Sequence, residues 1–221
     1  MRRAASLLVV PLILASGSIL RAQSAHYGLN LNVTLPTGAF NSTTYPAYTS
    51  PFTQSGPLDV PQRETYDVGL GANFTASFPV DRTLAIRLNV GYTSETGTNS
   101  APGYSSLSLQ HSMFNVGGDL QIFPQGGAYR HRGFYFLAGL SADFEQFSYS
   151  GSGADPAYFP DGSANKSRLG GTIGVGHTFG YDAGMRFNLE ASFHKTLTGN
   201  DVNAGDPPST DFVKLGFGIV F

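Results

Sequence analysis

Residues 66–78 read Tyr-Asp-Val-Gly-Leu-Gly-Ala-Asn-Phe-Thr-Ala-Ser-Phe. Tyr66, Val68, Leu70, Ala72, Phe74, Ala76 and Phe78 are apolar or aromatic, and Asp67, Gly69, Gly71, Asn73, Thr75 and Ser77 stand between them. Side chains of a strand point alternately to opposite faces, so this segment predicts a strand with one apolar and one polar face. Pro79-Val80-Asp81-Arg82 supplies turn residues. Beyond them Leu84, Ile86, Leu88, Val90 and Tyr92 alternate with Ala85, Arg87, Asn89 and Gly91. Two alternating runs around a short turn predict a β-hairpin.

The rhythm continues in both directions. Upstream, Tyr27, Leu29, Leu31, Val33 and Leu35 alternate with Gly28, Asn30, Asn32 and Thr34. Downstream, a strand ends at Ile122 with Asn115, Gly117, Asp119 and Gln121 on its polar face; its start, Leu107 to His111, is out of phase and suggests a bulge. A strand from Phe134 to Phe144 carries Asp143 but also Tyr135 and Leu137 on the face expected to be polar. The strand from Arg168 to Phe179 is Gly-rich, and the seventh sets Phe187, Leu189, Ala191 and Phe193 against Arg186, Asn188, Glu190 and His194. The last sets Val213, Leu215, Phe217, Ile219 and Phe221 against Lys214, Gly216 and Gly218. Eight strands of roughly ten residues each are the even number and length a membrane barrel needs.

The connections alternate long and short. Pro36–Glu64, Thr93–Ser105, Ser150–Asn165 and Thr196–Thr210 read as loops rich in Pro, Gly, Ser and Thr; Pro79–Arg82, Pro124–Gly133 and Tyr181–Gly184 read as turns. All the short turns then share one end of the barrel with both termini. Aromatic residues mark the strand ends: Tyr27, Phe78, Phe134, Phe179 and Phe221 at one rim, Tyr66, Tyr92 and Phe193 at the other. Such belts suit a water–lipid interface.

The N-terminus reads as an export signal, residues 1–22, with the barrel in 23–221. Arg2 and Arg3 precede an apolar stretch from Ala4 to Ala15, too short to span a bilayer as a helix, and Leu20-Arg21-Ala22 offers cleavage after Ala22, with Ser24 as the alternative. The 13 basic residues less Arg2, Arg3 and Arg21 leave 10 against 15 acidic ones, a net charge of −5. That balance argues against a nucleic-acid partner. With no Cys, disulfides and thiolate metal sites are excluded.

The tail Lys214-Leu215-Gly216-Phe217-Gly218-Ile219-Val220-Phe221 stops on an aromatic residue. Through Lys214, Gly216, Ile219 and Phe221 it resembles the terminal signal that outer-membrane barrel proteins present to their assembly machinery. With the export signal and the strand count, the chain resembles the small eight-stranded outer-membrane barrels, the OmpA- and OmpX-like group. The resemblance covers nearly all of the mature chain. It implies an all-β, eight-stranded, antiparallel up-and-down transmembrane barrel, monomeric, with periplasmic termini and extracellular long loops. The implied partners are outer-membrane lipid, lipopolysaccharide and the barrel assembly machinery. A peptidoglycan-binding segment after the barrel is not expected.

An eight-stranded barrel has an interior that side chains fill. The charges on the polar face, Asp67, Arg87, Asp119, Asp143, Arg168, Arg186, Glu190 and Lys214, are therefore expected to pair inside it. Strand heights match Arg87 with Asp119 and Asp143 with Arg168, and match Glu190 with Lys214 less well. No catalytic group is expected. Outer-membrane lipid A deacylases use a His/Ser/Glu arrangement near the penultimate strand, whereas His194 is followed by Lys195 and Thr196, with no Ser beside it. His26, His111, His131, His177 and His194 are dispersed and give no metal-ligand spacing, and the Gly-x-Gly pairs at Gly69 and Gly174 precede no helix, so no cofactor is expected. The function implied is structural, surface-interacting or minor solute passage. Alternation alone leaves open a soluble exported barrel around an apolar ligand, because the pattern is the same with the faces exchanged.

Overall fold

The computed structural model describes residues 25–45, 62–100, 106–150, 162–180, 184–198 and 209–221. The signal segment and both cleavage points lie outside them. In chain order the elements are β1 His26–Pro36, a helical turn α1 Gly38–Asn41, β2 Ser42–Tyr45, β3 Gln62–Tyr66, β4 Gly69–Pro79, β5 Leu84–Ser100 and β6 Leu107–Ile122. A 3-10 turn at Ala128–Arg130 follows, then β7 Gly133–Ser150, β8 Gly162–Phe179, β9 Arg186–Thr196 and β10 Phe212–Val220.

Eight of these strands close on themselves. The order β5-β4-β1-β10-β9-β8-β7-β6 is antiparallel throughout, and β5 pairs with β6 to complete the ring. The first and last strands meet from Gly28↔Val220 to Pro36↔Phe212. Beyond them Tyr27 and Phe221 exchange both backbone hydrogen bonds at 2.9 Å. Closure satisfies the strand edges within the eight-stranded ring internally, which a bilayer demands.

The faces are unambiguous. Leu31, Leu70 and Ile173 are 67%, 69% and 61% exposed on the outside, while Asn30 and Asn32, between the outward residues of β1, are each 5% exposed and point inward. A soluble barrel around an apolar ligand would have these faces exchanged. The chain is an all-β, eight-stranded, antiparallel up-and-down transmembrane β-barrel.

The strands differ in length. Those of β1, β4, β9 and β10 have 11, 11, 11 and 9 residues. Those of β5 to β8 have 17, 16, 18 and 18. At the long-loop end β5–β8 thus rise as a wall above the other four, and β3 and β2 extend it by pairing on β5 and on each other. Three expectations are corrected here. Thr93 to Ser100 is strand, not loop. Pro36–Glu64 holds α1, β2 and most of β3. The start of β6 has no bulge, because it pairs without interruption from Asn99↔Leu107 to Leu84↔Ile122. Leu107, Leu109 and Met113 point inward in the same phase as Asn115 and Asp119; only the chemistry of the inward face changes. Tyr66 is corrected as well. A break at Asp67–Val68 separates β3 from β4, and Tyr66 is buried on the inside, not at the outer rim, while Asp67 is exposed.

Candidate functional site in the barrel lumen

The lumen is built in three layers beneath an aromatic cap. At the short-turn end the β6–β7 connection folds under the barrel. Gly126 and Gly133, at φ 77° and 94°, allow the chain to reverse, and His131 sits between them at φ 43°. Phe123, Ala128, Tyr135, Leu137 and Ala85 form a buried apolar cluster. His131 lies 3.3 Å from Gln121 Oε1 and 3.4 Å from Thr178 Oγ1, and His26 lies 2.9 Å from the Tyr129 carbonyl. Burial, with His26, Arg87 and Arg186 nearby, pushes the His131 imidazole down from 6.5 to about 3, so it is neutral at physiological pH.

The middle layer is ionic. Arg87 on β5 meets Asp119 on β6 at 2.8 Å, and Asn89 donates to the same carboxylate at 3.0 Å. The guanidinium also crosses the lumen to Glu190 on β9, with a second contact at 3.2 Å. Tyr135 Oη lies 2.8 Å from Glu190 and 2.9 Å from Asn188, and Asn188 donates to Asn30 at 3.2 Å. Arg87 thereby ties β5, β6 and β9 together, and Glu190 and Asn188 carry the network on to Tyr135 on β7 and Asn30 on β1. Glycine makes the room: a Cβ at Gly139 would stand 2.0 Å from Asp119 Oδ1, and one at Gly176 2.2 Å from the Tyr135 ring.

The third layer pairs carboxylates with imidazoles and an arginine. Glu95 accepts from Thr34 Oγ1 at 2.7 Å and meets His111 Nδ1 at 2.7 Å. Asp143 accepts from Ser141 at 2.7 Å and faces His194 Nε2 at 3.1 Å. Arg168 reaches Glu145 at 3.3 Å and lies over the Phe147 ring at 5.9 Å. Above this layer Phe40, Tyr66, Leu109, Met113, Phe147, Tyr149 and Phe212 close the lumen as an aromatic cap. Phe40 and Tyr66 stack at 4.5 Å, and both contact the His111 ring.

Against this geometry the sequence-matched pairs sort as follows. Arg87 and Asp119 stand together, with Glu190 as the arginine's second carboxylate. Glu190 was expected opposite Lys214. Instead Lys214 is buried with its ammonium 5.5 Å from the Phe212 ring, within electrostatic reach of Glu190, Asp119 and Asp143. Asp143 and Arg168 are register partners, but the carboxylate Arg168 reaches is Glu145, two residues along β7, and Asp143 turns to His194. Glu64, Glu95, Glu145 and His111 were not anticipated; all four are buried inside. Thr93, Glu95, Gly97 and Asn99 continue the inward phase of Arg87 and Gly91, a signal that a loop from Thr93 onward hides. In the terminal tail, Lys214 and Gly216 face inward and Ile219 pairs with Leu29 across the seam and with Phe187 on β9, while Phe221 is exposed.

Thr172 Oγ1, His194 and Asp143 form a hydroxyl–imidazole–carboxylate line, with 3.1 Å at each contact. A nucleophilic site needs that order and also access. Here Asp143 is 0% exposed and the Phe212 ring stacks on His194 at 4.8 Å, so the line is a buried structural contact. No group of three metal-ligating side chains converges among the described residues.

No protein-family model matches the sequence, and no curated protein matches it. Solved structures do. The outer membrane protein OprG from Pseudomonas aeruginosa is 13% identical, with a TM-score of 0.51, covering 90% of this chain and 97% of that one. Ail, the attachment invasion locus protein of Yersinia pestis, solved with the heparin analogue sucrose octasulfate, is 12% identical, with a TM-score of 0.50, covering 90% of this chain and 99% of that one. At these identities the likeness concerns fold, and it agrees with the closed ring, the inward polar face and the terminal seam: the fold is that of the small eight-stranded outer-membrane β-barrels.

Proposed function

We propose that this protein is an integral outer-membrane barrel that acts as a sealed scaffold, presenting the raised wall of β5–β8 at the cell surface, and that it is neither a pore nor an enzyme. The short-turn end with the termini faces the periplasm and the long-loop end faces outward. The observation that carries the reading is the filled lumen: an apolar plug below, the Arg87 network across the middle and the aromatic cap above. A water path would have to open all three. The seam tail, with Lys214, Gly216, Ile219 and Phe221, is assigned to recognition by the assembly machinery, and the outward apolar band to lipid and lipopolysaccharide. Closure leaves no edge for a second copy within the eight-stranded ring itself, which favours a monomer.

Planar-bilayer recording of the purified barrel tests the sealed state. The expected trace is that of the bare membrane. Steady ohmic conductance from the wild-type chain would replace the scaffold with a pore.

A further inference from the structure

The outward face of the wall has a chemistry of its own. The lipid-facing row Tyr92–Phe114–Phe144 lies in register across β5, β6 and β7, each ring about half exposed. Immediately above it the outward residues in register are Ser94, Ser112, Gln146 and Asn165. The next row is Thr96, Gln110, Ser148 and Ser163. The third is Thr65, Thr98, Ser108 and Ser150, with Thr65 and Thr98 hydroxyls 3.1 Å apart. All are exposed or half-buried, and none is charged or apolar. Among the described residues, exposed charges stand only at the margin of this face, Arg63 above and Asp67 beside Thr96.

An ordinary solvated surface carries about a quarter to a third charged residues. Three rows without one need a different reason. From Tyr92 to Ser100 the wall climbs roughly 20 Å once a strand tilt of about 40° is allowed for. That layer lies directly above the hydrocarbon. A cation within the rows would favour phosphate; the described rows hold none, and the two charges at their margin, Arg63 and Asp67, are of opposite sign. Short hydroxyls and amides instead offer both donors and acceptors on a flat sheet. The serine and threonine hydroxyls lose little rotamer entropy when ordered, and no charge is desolvated when water is replaced by another neutral polar partner.

We infer that this face is a contact surface for the uncharged saccharide units of the glycolipid in the surrounding outer leaflet. The inference rests on the outward orientation proposed above. Because the chain has no Cys, Ser108→Cys gives a single labelling site at the wall. Reaction of intact cells with a membrane-impermeant maleimide tests the orientation alone; protection of that thiol would overturn the orientation, independently of the contact.

The contact is tested with the labelled full chain folded in vesicles, by energy transfer to a fluorescent glycolipid. One glycolipid is lipid A alone, and the other is lipid A bearing a phosphate-free heptose and hexose core. The core-bearing lipid is expected to be enriched around the wild-type chain by about five-fold. Gln110→Glu with Gln146→Glu, nearly isosteric, and Gln110→Lys with Gln146→Lys should both abolish the enrichment, with folding checked by heat-modifiable gel migration. Absence of enrichment around the wild type, its persistence in both charged pairs, or stronger enrichment in the lysine pair would each overturn the proposal, the last by identifying phosphate as the partner.

Discussion

The middle of the lumen and its two ends hold the barrel closed by different means. In the middle, Arg87 binds carboxylates on two other strands, one neighbouring and one across the lumen. At the ends, apolar side chains pack: Phe123 and Tyr135 over a turn folded inward at one end, Phe40, Phe147 and Phe212 at the other. The ionic layer lies behind the outward apolar band, with Arg87 and Asp119 each 5% exposed. The apolar layers lie where the lumen would otherwise meet water. Each layer thus opposes its surroundings, and together they seal the barrel.

The comparison breaks most directly at Arg87. Arg87→Met keeps the length of the chain and removes the charge, leaving Asp119 and Glu190 buried without their shared cation. The expected loss is about 3–5 kcal/mol, because an uncompensated buried charge costs more than the pair contributes. Urea unfolding in lipid vesicles, followed by heat-modifiable migration, measures it. An unchanged midpoint would mean that the middle layer is hydrated and adds nothing to closure.

The same contrast explains what the sequence disclosed. Between the rims, lipid outside and a filled lumen inside impose one alternation, apolar out and polar in, and β1, β4 and the lower halves of β5 and β6 follow it plainly. Above the Tyr92–Phe114–Phe144 row the outside becomes polar while the inside becomes the aromatic cap. Leu107-Ser108-Leu109-Gln110 therefore alternates in unbroken phase with its chemistry inverted. Read by the lower rule, this looks like a bulge, Thr93–Ser100 looks like a loop, and Tyr66 looks lipid-facing. The ionic pairs were legible only as far as strand height carried them. Arg87 and Asp119 sit opposite in register, but a side chain as long as arginine reaches across to Glu190 or along to Glu145, and alternation does not encode that reach.

The cap sharpens the comparison next. Phe147 is 1% exposed, contacts the His111 ring at 4.6 Å and lies under Arg168. Phe147→Ala is expected to cost about 3 kcal/mol, from lost burial and the cavity left behind. It should also loosen the long-loop end without opening the middle, so bilayer conductance should stay at background. Conductance in this single variant would show that the cap alone seals the lumen.

The short-turn end has a pH signature that the cap lacks. His131 binds its proton more weakly in the folded barrel, near 3, than at its ordinary value of 6.5. The unfolded chain therefore takes up the proton first. The stability this neutral imidazole represents is complete above about 6.5 and falls as pH drops towards 3, by about 1.4 kcal/mol per unit. Between pH 6.5 and 5 the expected loss is about 2 kcal/mol. His131→Gln keeps a neutral polar group beside Gln121 and Thr178 and should flatten that slope. Parallel slopes for wild type and variant would assign the acid sensitivity to another group.

The smallest effect belongs to the β4–β5 turn, outside the lumen altogether. Asp81 Oδ1 accepts from the Thr83 amide at 2.6 Å, the Thr83 hydroxyl at 2.9 Å and the Leu84 amide at 2.8 Å. These bonds hold its carboxyl below the ordinary 3.8, the Thr83 amide contributing most. The support they give is therefore present throughout the neutral range and disappears only as pH falls below the usual carboxylate value. Asp81 is fully exposed, and water competes for each bond, so Asp81→Ala should leave the unfolding midpoint of the barrel unchanged. Its consequence should be local. Amide exchange at Thr83 and Leu84 should quicken, while exchange at Arg87 and Asn89, a few residues up the same strand and tied into the ionic layer, should not. If exchange quickens along β5 as far as Arg87, the turn and the middle layer open as one unit, and the sharp division between the lumen's layers and the barrel's rim is lost.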